Sequence, residues 1–116
     1  MDSHPNLGNT VDLEDALLRM GGDFDLLRDI AKLFLEEYPV ALDNLRRGIA
    51  CEDAQTVERT AHGLKGSAVN FGAQAVVDAA LHLENLGRAR KTGEFARALP
   101  ALEEALAGLK TDLESL

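Results

Sequence analysis

The chain carries one cysteine, no tryptophan, three prolines and fewer positive charges than negative ones among its 116 residues. Each shortage removes a class of protein. Cys51, being alone, can form no disulfide within the chain, and a cysteine-rich metal site is excluded with it. No apolar stretch approaches the roughly 20 residues that a membrane-spanning helix needs, and the opening MDSHPNLGNT is too polar for a secretory signal. Lys and Arg number 12 against 20 Asp and Glu, a formal charge of −8. That balance argues against nucleic acid as a partner, since phosphate backbones need a basic surface. The expectation is a soluble, cytoplasmic domain that touches neither membrane nor nucleic acid.

What is present favours helices. Hydrophobic residues make up 46% of the chain, enough for a packed core, and 116 residues suffice for one domain but not for two. Alanine and leucine, both strong helix formers, dominate. Residues 1–9 read as a flexible tail and residues 10–116 as the folded domain. Asn9 or Thr10 can cap a short first helix over VDLEDALLRM, which Gly21-Gly22-Asp23 then stops. From Asp23, the residues Leu27, Ile30, Phe34, Tyr38, Ala41, Leu45 and Ile49 recur at helical spacing. They predict one long kinked helix, or two nearly collinear ones, passing Pro39 and ending near Ala50. Asp53 is a plausible cap for a third helix from about Ala54 to Phe71, closed by Gly72. A fourth runs from about Ala73 to Leu86, closed by Gly87. The last covers about Gly93 to Leu116 with a regular stripe from Phe95 to Leu116, and Pro100 either kinks it or marks its first turn. Four substantial helices with short connections predict an all-α, antiparallel up-down four-helix bundle, with the short first helix as a lid. Every stripe can be buried internally, so a monomer is expected; the alternative is a dimer through the regular leucine stripe of the last helix.

One stretch of the third helix, AHGLKGSAVNFGA at residues 61–73, breaks the pattern with glycines at Gly63 and Gly66. Each costs a helix roughly 1 kcal/mol relative to alanine. At about 100° per residue, Val57, Ala61, Leu64, Ala68 and Phe71 define the core direction. His62 then lies about 140° away from it, Gly66 about 180°, Val69 about 120° and Lys65 about 80°. His62 therefore faces outward. Gly66, one turn on, clears the approach to its ring, Val69 extends the exposed face, and Lys65 brings an ammonium within reach of the imidazole. An accessible imidazole beside a positive charge is the arrangement a nucleophile needs to receive a phosphoryl group.

On the fourth helix the core stripe ends unexpectedly in Glu84. An inward carboxylate needs a partner. One candidate is the ring N–H of His62, which would fix the tautomer and free the other nitrogen; the alternative is a pairing with Lys65 or Arg88. Arg88 also begins a basic group with Arg90 and Lys91. His82 points away from the core without such neighbours, and His4 lies in the tail, so neither is given a role. A di-iron bundle would need paired Glu-x-x-His elements. None occurs, Glu58 and His62 being four residues apart, and no metal is expected.

These residues resemble a known family. AHGLKGSAVNFGA is similar to the H-x-L-K-G-S-[SA]-x-x-x-G-[AL] motif of histidine-containing phosphotransfer (HPt) domains, the intermediate carriers of phosphorelays. RMGGDFDLLRDIAKLFLEEYP resembles the opening helices of that family, and LENLGR the end of a later one, so the likeness spans most of residues 10–116. The resemblance implies that His62 is phosphorylated, that Lys65 supports the phosphoryl group and that Gly66 leaves room for it. It also implies that Glu84 approaches the histidine where relatives carry Gln or Glu. Arg88 stands where some relatives have a basic residue, and together with Gly63 and Val69 it belongs to the face a partner would meet. Ser67-Ala68 is a mild departure from the usual small pair. The implied partners are response-regulator receiver domains and a hybrid sensor histidine kinase. The receiver would supply the magnesium ion and most catalytic groups, so no cofactor is assigned to this chain. It is expected to be a carrier, not an enzyme.

Two other readings differ by identifiable features. The dimerisation domain of a sensor kinase follows its histidine with an acidic residue and proline, whereas Gly-Leu-Lys-Gly follows His62 here, and no nucleotide-binding glycine-rich segment follows. Autokinase activity is therefore not expected. An adaptor bundle that binds a signalling partner without phosphorylation has no need of His62, Lys65 and Gly66 together.

Overall fold

The computed structural model describes residues 12–116, so the expected tail and His4 lie outside it. Five α-helices follow in order: α1 (Leu13–Arg19), α2 (Phe24–Ala50), α3 (Ala54–Val69), α4 (Gln74–Arg88) and α5 (Phe95–Glu114). A 3-10 turn, Thr92–Glu94, leads into α5. No strand occurs among the described residues, and none of their helices is long and apolar enough to cross a membrane.

Aspartates start the first three helices. The carboxylates of Asp12, Asp23 and Asp53 accept from the backbone N–H groups of Asp15, Leu26 and Thr56 at 3.0, 3.0 and 3.1 Å. Each satisfies an N–H that has no partner inside the helix and sits at the positive end of its dipole. The first helix therefore starts later than the expected cap at Asn9 or Thr10, which lie outside the described residues. Asp53 also accepts from the Thr56 hydroxyl at 2.7 Å, and these two bonds hold its carboxyl below the usual carboxylate range.

Other boundaries differ for local reasons. Of the two possibilities for the long helix, the single one is found, with Pro39 inside it. Pro100 likewise lies inside α5, which begins at Phe95 after the 3-10 turn; the first-turn alternative does not hold. Helix α3 ends at Val69, and Gly72 turns the chain with φ +61°. A side chain at Gly72 would come within 3.0 Å of Asp12 Cβ, while the Asp12 N–H donates to the Phe71 carbonyl at 3.2 Å. Gly72 thus permits the turn and lets the start of α1 dock on it.

Gly87 does not end α4, which continues to Arg88. Its role is close packing: a Cβ there would lie 2.8 Å from Glu58 N and 2.9 Å from the Ala54 carbonyl oxygen. Helices α3 and α4 accordingly share the most extensive contact in the fold, with α5 packed on α4 and α2 on α3. Val57, Ala61, Leu64, Ala68 and Phe71 are all buried, as their spacing predicts, and Leu102, Leu106, Leu109 and Leu113 fill the α5 side. Burial of each large apolar side chain is worth roughly 1.5–3 kcal/mol. Phe34 of α2 meets Phe71 edge to face at 5.6 Å, and Arg46 bonds Glu103 at 2.8 Å across to α5. Helix α3 is held from several sides, with one face left to solvent.

Candidate functional site

His62 lies on that open face, its side chain 67% exposed, while the Glu84 side chain opposite is only 4% exposed. The close approach at Gly87 brings the two helices near enough for the pair to meet: His62 Nδ1 is 3.0 Å from Glu84 Oε2. The same oxygen accepts from Arg88 Nη2 at 2.9 Å. The other oxygen, Oε1, makes no conventional hydrogen bond but lies 2.7 Å from Lys65 Nζ as an ion pair. Both alternatives for the partner of Glu84 are therefore realised together. The Lys65 ammonium, and after it the His62 ring, hold the Glu84 carboxyl below the usual carboxylate range, against burial, which pushes it upward. The ammonium at 2.7 Å and the ring at 3.0 Å thus favour the ionised form of a buried carboxylate.

With Nδ1 directed at an ionised carboxylate, the ring carries its proton on Nδ1. Nε2, across the ring, makes no hydrogen bond among the described residues and faces outward. Side chains on a helix lean toward its N-terminus, so Lys65 reaches back toward the turn that carries His62.

The two glycines answer to nothing inside the molecule. A Cβ at Gly63 or at Gly66 would meet no atom within 4 Å, and neither has the positive φ that only glycine tolerates well. Beside Gly63 a groove of about 260 Å³ runs between α2 and α3, lined by Phe34, Tyr38, Ala41, Leu64 and Ser67 among others. Val69, expected on the exposed face, is half-buried and takes no part in the charged cluster. His82 is exposed. Among the described residues no group of three or more His, Cys, Asp or Glu could hold a metal ion.

The family model for the Hpt domain matches residues 29–116. The chain belongs to the Hpt family. A solved structure, histidine-containing phosphotransfer protein B (HptB) from Pseudomonas aeruginosa PAO1, is similar with a TM-score of 0.84 and 20% identity. The likeness, one of fold, covers 91% of this chain and 92% of that one. No curated protein sequence matches. Histidine phosphotransfer in phosphorelay signalling is the function of this Hpt domain, which is a phosphocarrier and not an enzyme in the ordinary sense.

Sequence reasoning missed one residue of the Hpt domain's charged cluster. The spacing of Glu58 to His62 bears only on a metal site, yet Glu58 Oε2 accepts from Arg88 Nε at 3.2 Å. The signal was available in principle: Glu58 lies one turn before His62, and Gly87 packs on its backbone. Arg88 is thereby held between two carboxylates, Glu58 on α3 and Glu84 on α4.

Proposed function

We propose that His62 is the phosphoacceptor of this Hpt domain and exchanges its phosphoryl group with the aspartate of response-regulator receiver domains. The observation that carries the reading is an outward imidazole whose Nδ1 is held by buried Glu84 at 3.0 Å. The free lone pair then resides on Nε2 and attacks the phosphorus of a receiver's phosphoaspartate. A P–N bond forms, the P–O bond breaks, and its electron pair remains on the receiver's carboxylate. Lys65 offsets the charge of the arriving phosphoryl oxygens. Gly63 and Gly66 leave a bare strip of helix along which the receiver's surface closes, and Arg88 borders it. Val69 contributes to this face only at its half-buried edge.

The same reading assigns α2 to α5 to an antiparallel up-down four-helix bundle with α1 as an additional N-terminal helix, supported by their order and short connections. It also assigns a hybrid sensor kinase as an upstream partner, a monomeric state, a cytoplasmic setting and no autokinase activity. The test is to incubate the domain and its His62→Gln variant with radiolabelled phosphorylated receivers. Acid-labile, base-stable label should pass to the wild type and not to the variant. Label on neither, with helical structure retained, would leave an inert adaptor in place of a carrier.

A further inference from the structure

We infer that Glu84 makes the phosphorylated form of this domain a short-lived, readily donating one, with Arg88 as the opposing control. The inference rests on His62 being the phosphoacceptor and concerns how firmly that residue holds its cargo. Attack through Nε2 leaves the Nδ1 proton in place, so the newly phosphorylated ring is an imidazolium. Its fate depends on that proton. While Nδ1–H is kept, cleavage of the P–N bond returns the electron pair to Nε2 and releases neutral imidazole, a good leaving group. The phosphoryl group passes to water or to a receiver's aspartate oxygen. Once the proton is lost, the same cleavage would have to expel an imidazolide anion, and the phosphoryl group stays.

Glu84 decides between these states. Its Oε2 sits 3.0 Å from Nδ1 at the end of a 4% exposed side chain, where a carboxylate's charge favours keeping the Nδ1 proton on the phosphorylated ring. Two other cations compete for the same carboxylate. Lys65 faces Oε1 at 2.7 Å, and its ammonium is drawn toward the phosphoryl oxygens once they arrive. Arg88 has no such exit, because Glu58 holds its Nε at 3.2 Å while its Nη2 stays on Glu84 Oε2 at 2.9 Å. The charged groups around the ring thus act in two directions. Glu84 of α4 retains the Nδ1 proton, and Arg88, backed by Glu58 of α3, weakens that hold. Glutamine at position 84 would still accept the Nδ1–H bond but would supply no charge. Glu84 is a positioning residue whose effect appears in the pH profile.

The test loads the wild type, Glu84→Gln and Arg88→Gln with phosphoramidate, which phosphorylates histidine without a receiver. Loss of phosphohistidine is then followed by phosphorus NMR from pH 5 to pH 9. Charge at position 84 should shift the profile by about one pH unit, so that near pH 8 the wild type loses its phosphoryl group about tenfold faster than Glu84→Gln. Arg88→Gln should lose it faster than the wild type. Coincident profiles for the wild type and Glu84→Gln, or slower loss from Arg88→Gln, would overturn the inference. Should Glu84→Gln fail to fold, Arg88→Gln decides alone, faster loss supporting the inference and unchanged or slower loss overturning it. A wild type that takes up no phosphoryl group at His62 defeats the phosphoacceptor reading itself, and this inference falls with it.

Discussion

At Glu84 a single carboxylate gathers His62, Lys65 and Arg88. Burying an ion is costly, and the cost is recovered only where the partners are close and well aligned. Here His62, Lys65 and Arg88 supply them within 3.0 Å. A stability effect follows, and its sign is fixed. The folded protein holds the Glu84 carboxyl below its ordinary value of 4.5, so the ionised group contributes stability that is present above that value. The contribution is lost as pH falls through the folded-state pKa, when the carboxylate must take up a proton. Urea unfolding at pH 7, 5 and 3.5 should show the stability difference between the wild type and Glu84→Gln moving against the wild type on acidification. A difference independent of pH would mean that Glu84 is not held ionised by its neighbours. The outward direction of His62 was legible in the sequence, because a wheel gives each side chain's azimuth on its own helix. The simultaneous pairing of Glu84 with His62, Lys65 and Arg88 was not. It depends on the relative height of α3 and α4, which is set by the contact of Gly87 with the Glu58 backbone.

The glycines of α3 and α4 look alike in sequence and do opposite things to their helices. At Gly66 a Cβ would meet nothing within 4 Å, and at Gly87 it would strike the backbone of α3 at 2.8 Å. Gly66→Ala should therefore stabilise the fold by roughly 0.5–1 kcal/mol while slowing transfer from a phosphorylated receiver. Gly87→Ala should destabilise it by roughly 1–3 kcal/mol through overpacking. Denaturant midpoints at equal slope check both signs, and a Gly66→Ala variant that transfers at the wild-type rate would remove the reason offered for that glycine. Helix positions were readable from apolar spacing. Their ends were less so, because ends are settled by single hydrogen bonds and contacts. Asp12 caps the first described helix, and Gly87 serves packing where glycine ordinarily signals a stop.

Across the whole molecule, an acidic chain of net charge −8 gathers Lys65 and Arg88 around one imidazole on an otherwise firmly packed helix. The match over residues 29–116 makes that body an Hpt domain, and its likeness to HptB is one of fold. On the proposed reading, phosphorus is carried on His62 Nε2, with Nδ1 turned to Glu84. The most direct measurement is nitrogen and phosphorus NMR of the phosphorylated domain labelled with ¹⁵N-histidine. A single phosphorylated ring is expected, that of His62, bonded through Nε2 and retaining its Nδ1 proton near neutral pH. Phosphorus on Nδ1, or on the ring of His82 or His4, would contradict it.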